Sequence, residues 1–177
     1  MDFNAILTSG DVVAGIITTV VEIPKGSKLK AEYDRKKKIF VLDRVEPTIF
    51  AKPVSYGFIP ATLDDDGDEL DTLIICDEPL PMGLVVEKAR VIGVLKFEDG
   101  GEMDHKVIVV PADDRDSGDS IKSLDDLSPA LLKQIEHHFT HYKDLKKPGT
   151  TKVMGFGDVE EAKEVINECI ERWNAQA

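Results

Sequence analysis

A chain of 177 residues, of which 42% are hydrophobic and 32% charged, is long enough to bury one substantial core, and we expect a single globular domain over residues 1–177. Its formal net charge of −12 argues against non-specific nucleic-acid binding, because affinity for a phosphate backbone requires a surplus of Lys and Arg. The same charge argues against an anionic membrane surface, so we expect neither partner.

The first segment, MDFNAILTSGD, lacks the basic and apolar regions of a signal peptide, and no apolar run approaches the roughly 20 residues that span a bilayer. Cys76 and Cys169 lie in apolar-patterned segments without metal-ligand spacing. They are typical of buried free thiols in a reducing compartment. We therefore predict a cytoplasmic protein.

Short β-favouring runs, separated by Gly, Pro and Asp, occupy the chain from Val12 to about Val110. In chain order these runs are VVEI, KAEYD, IFVLDRV, LIIC, VVEKARVIGVLKF and HKVIVV. Their spacing predicts a closed or nearly closed antiparallel β-barrel.

Two helical patterns follow the strands. Ser128 is a predicted N-cap with Pro129 at the first helical position, and Pro148 and Gly149 mark the expected end of this helix. A second helix is expected to begin at Asp158 with a capping box. The fold class predicted from this order is α+β, a barrel followed by two main C-terminal helices.

The segment DDDGDELD, residues 64–71, places six carboxylates in eight residues. A calcium EF-hand loop starting at Asp64 is excluded, because Glu69 and Ile75 stand where Gly and Glu are needed. An aspartyl phosphatase is disfavoured because these carboxylates precede the apolar run rather than follow it. A divalent-metal platform for phosphoryl transfer and a solvated acidic turn both remain open for this loop by itself.

A second charged turn, EDGGEMDHK, contains Asp99 and Asp104. Alternation places Asp104, Lys106 and Ile108 on one strand face, where a buried carboxylate and amine need partners. A simple buried ion pair is the alternative interpretation.

Further charges lie earlier in the chain. Glu22 stands between Val21 and Ile23, Lys30 and Glu32 share a strand face, and Arg44 ends an apolar strand. Taken singly, each of these residues is more typical of a surface charge than of a ligand.

Together these segments resemble the family I soluble inorganic pyrophosphatases of the prokaryotic type. DGDELD is similar to the family signature Asp-x-Asp-x-x-Asp before an apolar strand. The other similar segments, in order, are VVEIP, KAEYD, FVLDR, SYGFIP, VIGVLK, the turn from Asp99 to Lys106, and HYKDLK. The resemblance covers roughly residues 12–173.

The resemblance implies hydrolysis of pyrophosphate to two orthophosphates on a five-stranded OB-like barrel. It implies several Mg²⁺ ions as cofactors, with Mn²⁺, Zn²⁺ or Co²⁺ as alternatives and Ca²⁺ as an inhibitor. It also implies a homo-oligomer, specifically a homohexamer.

The same resemblance assigns roles to individual residues. Asp66, Asp71 and Asp104 would hold two metals flanking the attacking water, Asp99 would join a metal arriving with substrate, and Glu22 would be a peripheral ligand. Asp68 would be the general base. The substrate-binding residues would be Lys30, Glu32, Arg44, Tyr56, Lys106, Tyr142 and Lys143, with Glu32 in the surrounding network. Pattern alone would place Tyr142 in the core.

Two positions depart from the family pattern, namely Lys52, where many members have tyrosine, and Gly100, where close bacterial relatives often have a second acid. His137, His138 and His141 are expected on a solvated helix face rather than at a metal. A non-catalytic metal-binding or oligonucleotide-binding barrel, and hydrolysis of nucleoside triphosphates or polyphosphate, are the competing functions.

Overall fold

The computed structural model of the protein describes residues 1–176. The helices are α1 (Phe3–Ile6), α2 (Pro129–His141) and α3 (Val159–Ala175), and short 3-10 turns lie at Thr48–Phe50, Gly118–Ser120 and Leu124–Asp126. The strands are β1 (Gly10–Asp11), β2 (Ile16–Ile23), β3 (Leu29–Asp34), β4 (Ile39–Val45), β5 (Ser55–Phe58), β6 (Asp71–Ile74), β7 (Val85–Asp99), β8 (Glu102–Met103), β9 (Lys106–Pro111) and β10 (Thr151–Gly157).

Five strands close into a ring in the order β2, β5, β6, β9 and β7, and β7 pairs again with β2. The closed ring confirms the predicted five-stranded closed sheet. The two helices that follow it, α2 and α3, confirm the predicted α+β class and the two main C-terminal helices. The expectation of a wholly antiparallel sheet is wrong, because β6 and β9 are parallel. The reason is that β7, which lies between them in sequence, pairs with the other side of β9 and reverses the chain before β9 begins.

Two predicted strands do not belong to the ring. β3 and β4 form a separate two-stranded sheet, and Tyr33 of β3 packs in one apolar cluster with Val20 of β2 and Phe58 of β5. The strands β5 and β10 were not predicted. β5 was missed because SYGF is short and buried on both faces, so it shows no alternation. Gly57 in β5 is required because a Cβ there would collide with the carbonyl oxygen of Val20 on β2.

The two main helices, α2 and α3, begin where the sequence predicts. The Ser128 side chain accepts a hydrogen bond from the Ala130 N–H, and Asp158 and Glu161 form the expected capping box. α2, however, ends at His141 instead of reaching Pro148, because the next amides bond three residues back, as from Asp144 to the His141 carbonyl at 2.9 Å. Tyr142 is therefore a C-cap residue.

The helices cover opposite faces of the ring strands. α3 packs Ala162 and Ile166 in one apolar cluster with Val107, whereas α2 packs Phe139 in another cluster with Ile108. Neighbouring strand residues point to opposite faces, which is why Val107 and Ile108 belong to different clusters. None of the helices within residues 1–176 combines the length and apolarity that a membrane span requires.

The two cysteines are free, as predicted. Cys169 on α3 is buried, but Cys76 is only half-buried, so the expectation of burial holds for one of the pair.

Candidate active site

Every residue predicted to act in the site lines one cleft of about 650 Å³. The predicted residues in its walls are Glu22, Lys30, Glu32, Arg44, Tyr56, Asp66, Asp68, Asp71, Asp99, Asp104, Lys106, Tyr142 and Lys143. They come from β2 to β9 and from the turn after α2, so the fold gathers segments that are far apart in sequence.

Strand register explains why the carboxylates meet the amine. Asp71 begins β6 and Lys106 begins β9, and the parallel pairing sets these two residues side by side. Asp99 ends β7, which is antiparallel to β9, so its carboxylate lies at the same end of the ring. The ends of these strands therefore form one polar rim.

Lys106 is the buried centre of this rim, with 2% of its surface exposed. Its Nζ donates hydrogen bonds to Asp71 at 2.7 Å and to Asp104 at 2.6 Å. Burial disfavours the ammonium, but Asp71 and Asp104 outweigh burial and raise the pKa of Lys106 above its usual value. Burial and the charge of Asp71 raise the pKa of Asp104, against the opposing effect of Lys106.

Two tyrosines close the inner part of the cleft. The Tyr56 hydroxyl donates to Asp71, and Tyr142 is buried with its ring 5.4 Å from that of His138. Burial and neighbouring carboxylates raise the pKa of both phenols, so both hydroxyls remain protonated donors at neutral pH.

Glu22 is buried on β2 and accepts a hydrogen bond from the Tyr33 N–H at 2.7 Å. Burial and repulsion from Asp71 raise the pKa of Glu22 to about 8. The carboxyl is therefore mostly protonated at neutral pH, and a cation in the cleft would favour its ionised form.

The acidic segment 64–71 divides between two environments. Asp64 and Asp65 pair with Arg172 on α3, at 3.4 and 3.1 Å, and neither lines the cleft. Asp66, Asp68 and Asp71 do line it. Desolvation and the neighbouring carboxylates raise the pKa of Asp66 to about 6, although the residue remains accessible to solvent, and desolvation also raises the pKa of Asp68.

The turn within this segment is held by a residue that the sequence analysis missed. Gly67 has φ of +92°, and its carbonyl accepts a hydrogen bond from the Arg35 guanidinium in the β3–β4 turn. Arg35 also faces Glu69, at 4.0 Å. The sequence of this turn, DRKKK, does not indicate that one of its basic residues would hydrogen-bond to a loop 32 residues later in the chain.

Most cations in the cleft are already neutralised by carboxylates. Lys30 binds Glu32 at 2.6 Å and Lys143 binds Asp99. Arg44 binds both Asp43 and Glu46, each at 2.6 Å. A polyanion entering the cleft must therefore compete for these groups.

The two departures from the family pattern have different positions. Lys52 lies in the cleft and is 5% exposed, whereas Gly100 lies in an exposed turn outside the cleft. The expectation of a solvated His138 is wrong, because the face of α2 carrying Ile135 and Phe139 also buries His138. Burial, followed by the charge of Lys52, lowers the pKa of His138 to about 3.

The donors at this rim are suited to hard divalent cations. Asp66, Asp71, Asp99 and Asp104 offer only oxygen ligands, which Mg²⁺ prefers, and a bound cation would offset the desolvation and the neighbouring carboxylate charge that together raise the pKa of Asp66. Within residues 1–176, no three His, Cys, Asp or Glu side chains converge as a ready metal site. The ammonium of Lys106 instead lies between Asp71 and Asp104.

Comparisons with known proteins agree on one family. A family model described as inorganic pyrophosphatase matches residues 19–174. The chain is 64% identical to the inorganic pyrophosphatase of Neisseria meningitidis serogroup A, over 99% of both chains, and 64% identical to that of Haemophilus influenzae, over 98% of both. The crystal structure of an inorganic pyrophosphatase from Neisseria gonorrhoeae superposes with a TM-score of 0.96 at 62% identity, covering 98% of this chain and 99% of that one.

Proposed function

Because the chain belongs to the bacterial family I inorganic pyrophosphatases, which are hydrolases, we propose that it hydrolyses pyrophosphate to two orthophosphates with Mg²⁺ and with Asp68 as general base. The observation that carries the proposal is the one cleft in which carboxylates and basic side chains meet. Carboxylates alone would repel the substrate, and cations alone would not activate water.

The carboxylates divide into a metal-binding set and a base. Asp66, Asp71 and Asp104 would hold the metals beside the attacking water, Asp99 would hold a metal arriving with substrate, and Glu22 would be a peripheral ligand. Bound divalent ions lower the pKa of a shared water from ~15.7 toward neutrality and offset the charge of the substrate. Mn²⁺, Zn²⁺ or Co²⁺ would replace Mg²⁺, and Ca²⁺ would inhibit.

Asp68 accepts the proton of the attacking water in this proposal. Its backbone N–H donates to Asp66 Oδ1 at 3.0 Å, which fixes it relative to a proposed metal ligand. Desolvation raises the pKa of Asp68, and a higher pKa makes a carboxylate a better proton acceptor.

The basic residues and tyrosines bind the phosphate oxygens. Lys30, Arg44, Lys106 and Lys143 exchange their present carboxylate partners for substrate, while Glu32 remains in the surrounding network. The protonated hydroxyls of Tyr56 and Tyr142 donate to the same anion. Stabilising charge in this way supplies most of what phosphoryl transfer requires.

The test is release of orthophosphate from pyrophosphate by the purified protein with Mg²⁺, after chelation and after Mg²⁺ is restored. We expect release that stops on chelation and returns with the metal. A parallel panel of nucleoside triphosphate and polyphosphate should be hydrolysed more slowly. No release by the folded, Mg²⁺-loaded protein, or faster hydrolysis of the larger substrates, would contradict the proposal.

Family membership also supports assembly of this 19.6-kDa chain into a cytoplasmic homohexamer, each chain folding as one domain over residues 1–177. Light scattering coupled to size exclusion measures the assembly mass directly. A monomer mass at the concentrations used for activity would contradict the hexamer.

A further inference from the structure

Lys52 places a buried amine in the wall of the cleft. Its backbone is fixed, because its N–H donates to the Ser27 carbonyl at 2.9 Å and its own carbonyl accepts from the Gly26 N–H at 2.8 Å. The residue is 5% exposed, yet it lines the cleft beside Tyr56 and Tyr142. The side chain is therefore directed toward the space that the substrate is proposed to occupy.

The amine of Lys52 lacks the counterion that the other cations of the cleft have. Throughout residues 1–176, no carboxylate oxygen lies within 4.0 Å of its Nζ, whereas Lys30, Lys106 and Lys143 each bind one or two carboxylates. The hydrogen-bond partner of Lys52 Nζ is His138 Nε2, at 3.4 Å. Burial, and then the charges of Lys30 and Lys106, lower the pKa of Lys52 to about 7.

Glu46 and Asp71 partly oppose this lowering of the pKa from beyond 4.0 Å, and three aromatic rings lie close to the amine. Its Nζ lies 5.0 Å from the ring centroid of Tyr56, 5.1 Å from that of Tyr142 and 5.4 Å from that of Phe139. Ring faces attract a cation but leave its N–H donors available, and an ammonium has three of them. An anion bound between the two tyrosines would supply both the missing charge and the missing acceptors.

We infer that Lys52 is a further substrate-binding residue, whose ammonium leaves His138 and donates to a phosphate oxygen of pyrophosphate or of the orthophosphate product. This inference rests on the proposed function, since it assumes that a phosphate anion occupies the cleft. A contact made equally to the bound substrate and to the transition state strengthens binding of the anion more than it accelerates the chemical step.

The alternative is that Lys52 has only a structural role, in which its side chain packs against the rings of Tyr56, Phe139 and Tyr142. Both interpretations predict some loss of stability when Lys52 is replaced. Only substrate binding predicts weaker affinity for a phosphate anion, and this difference decides between them.

The first experiment compares Lys52→Met with Lys28→Met, which removes the same charge from an exposed position outside the cleft. Steady-state hydrolysis gives KM and kcat, and calorimetry with Mg²⁺ gives the Kd of methylenediphosphonate, a pyrophosphate analogue that cannot be hydrolysed. In Lys52→Met we expect KM and Kd to rise about tenfold, the size of one charge-assisted hydrogen bond, with a smaller change in kcat. Lys28→Met should keep the wild-type values.

A folded Lys52→Met protein with unchanged KM and Kd would overturn the inference while leaving the proposed function intact. A wild-type protein that binds methylenediphosphonate but does not hydrolyse pyrophosphate would contradict the proposed function instead, and the Kd comparison would still test Lys52.

A second experiment does not depend on the folding of any variant. It is the crystal structure of the wild-type protein with Mg²⁺ and methylenediphosphonate. We expect Lys52 Nζ within about 2.7–3.2 Å of a phosphonate oxygen, the normal range of such a hydrogen bond. An Nζ that stays on His138, away from every phosphonate oxygen, would overturn the inference.

Discussion

The two ends of the acidic segment 64–71 lie in different environments although both are rich in carboxylates. The first end, Asp64 and Asp65, pairs with Arg172 on α3 and ties the loop to the helix. The second end supplies Asp66, Asp68 and Asp71 to the cleft, where Asp71 pairs with Lys106 but, within residues 1–176, no Lys or Arg lies within 4.0 Å of Asp66 or Asp68. Crowded carboxylates can therefore stabilise a fold or prepare a cation site, and their cationic neighbours decide which.

The largest effect that separates the two ends is expected from Asp68→Asn. Removing the proposed general base should lower kcat by about 10²–10⁴-fold, the range typical of general-base catalysis, while folding is retained. Asp65→Asn removes a charge from the same loop but outside the cleft, and should leave kcat close to wild type. Equal losses of kcat in the two variants, measured by orthophosphate release, would contradict the different roles assigned to the two ends.

Replacing Gly67 tests whether the geometry of the second end matters. Gly67→Ala and Gly149→Ala both place a side chain at positive φ, +92° and +73°, where a Cβ meets open space, and Gly149 lies outside the cleft. Each should lose about 1–2 kcal/mol of stability through backbone strain. Only Gly67→Ala should also lower activity, by roughly tenfold, because it displaces the flanking carboxylates of Asp66 and Asp68, which are proposed to act in the site. Urea unfolding and kcat/KM together measure both effects.

The first end is tested with Arg172→Met. This change leaves the buried Asp64 without its cation, and should lower the free energy of unfolding by about 1–2 kcal/mol, since the Arg172 side chain is 35% exposed. Activity should stay near wild type, because Arg172 lies outside the cleft. A large loss of activity with unchanged stability would reverse the roles assigned to the two ends.

The smallest effect is expected from Arg35→Gln. Loss of its hydrogen bond to the Gly67 carbonyl should loosen the loop and lower kcat/KM by about threefold to tenfold, the worth of one such contact. Lys37→Gln, in the same turn but paired with Asp34 at 2.7 Å, is the matched control. A loss in the control as large as that in Arg35→Gln would show that general charge, rather than loop anchoring, is responsible.

Local patterns predicted many of these features correctly. The caps at Ser128 and Asp158 fixed where the helices begin, because capping depends on residues within one turn. The site residues were assigned by family resemblance, and they line one cleft. Their chemical roles stay predictions that the experiments above test.

Other features could not be read from local patterns. The parallel pairing of β6 with β9 depends on which side of β9 the intervening strand occupies. The burial of His138 depends on a face of α2 meeting the apolar cluster around Phe97. In both cases a segment distant in the chain decides the outcome.

The sequence by itself determined the α+β class and the family, because these depend on residue type, order and spacing, and the family resemblance then assigned the site residues. The tertiary structure alone decided that Asp64 and Asp65 turn toward α3 while Asp66, Asp68 and Asp71 face the cleft. It also decided that Lys52 enters the cleft and that no carboxylate of residues 1–176 pairs with its amine. The physical reason is that ionisation and pairing depend on burial and on charges within a few ångströms, which folding brings together from distant parts of the chain.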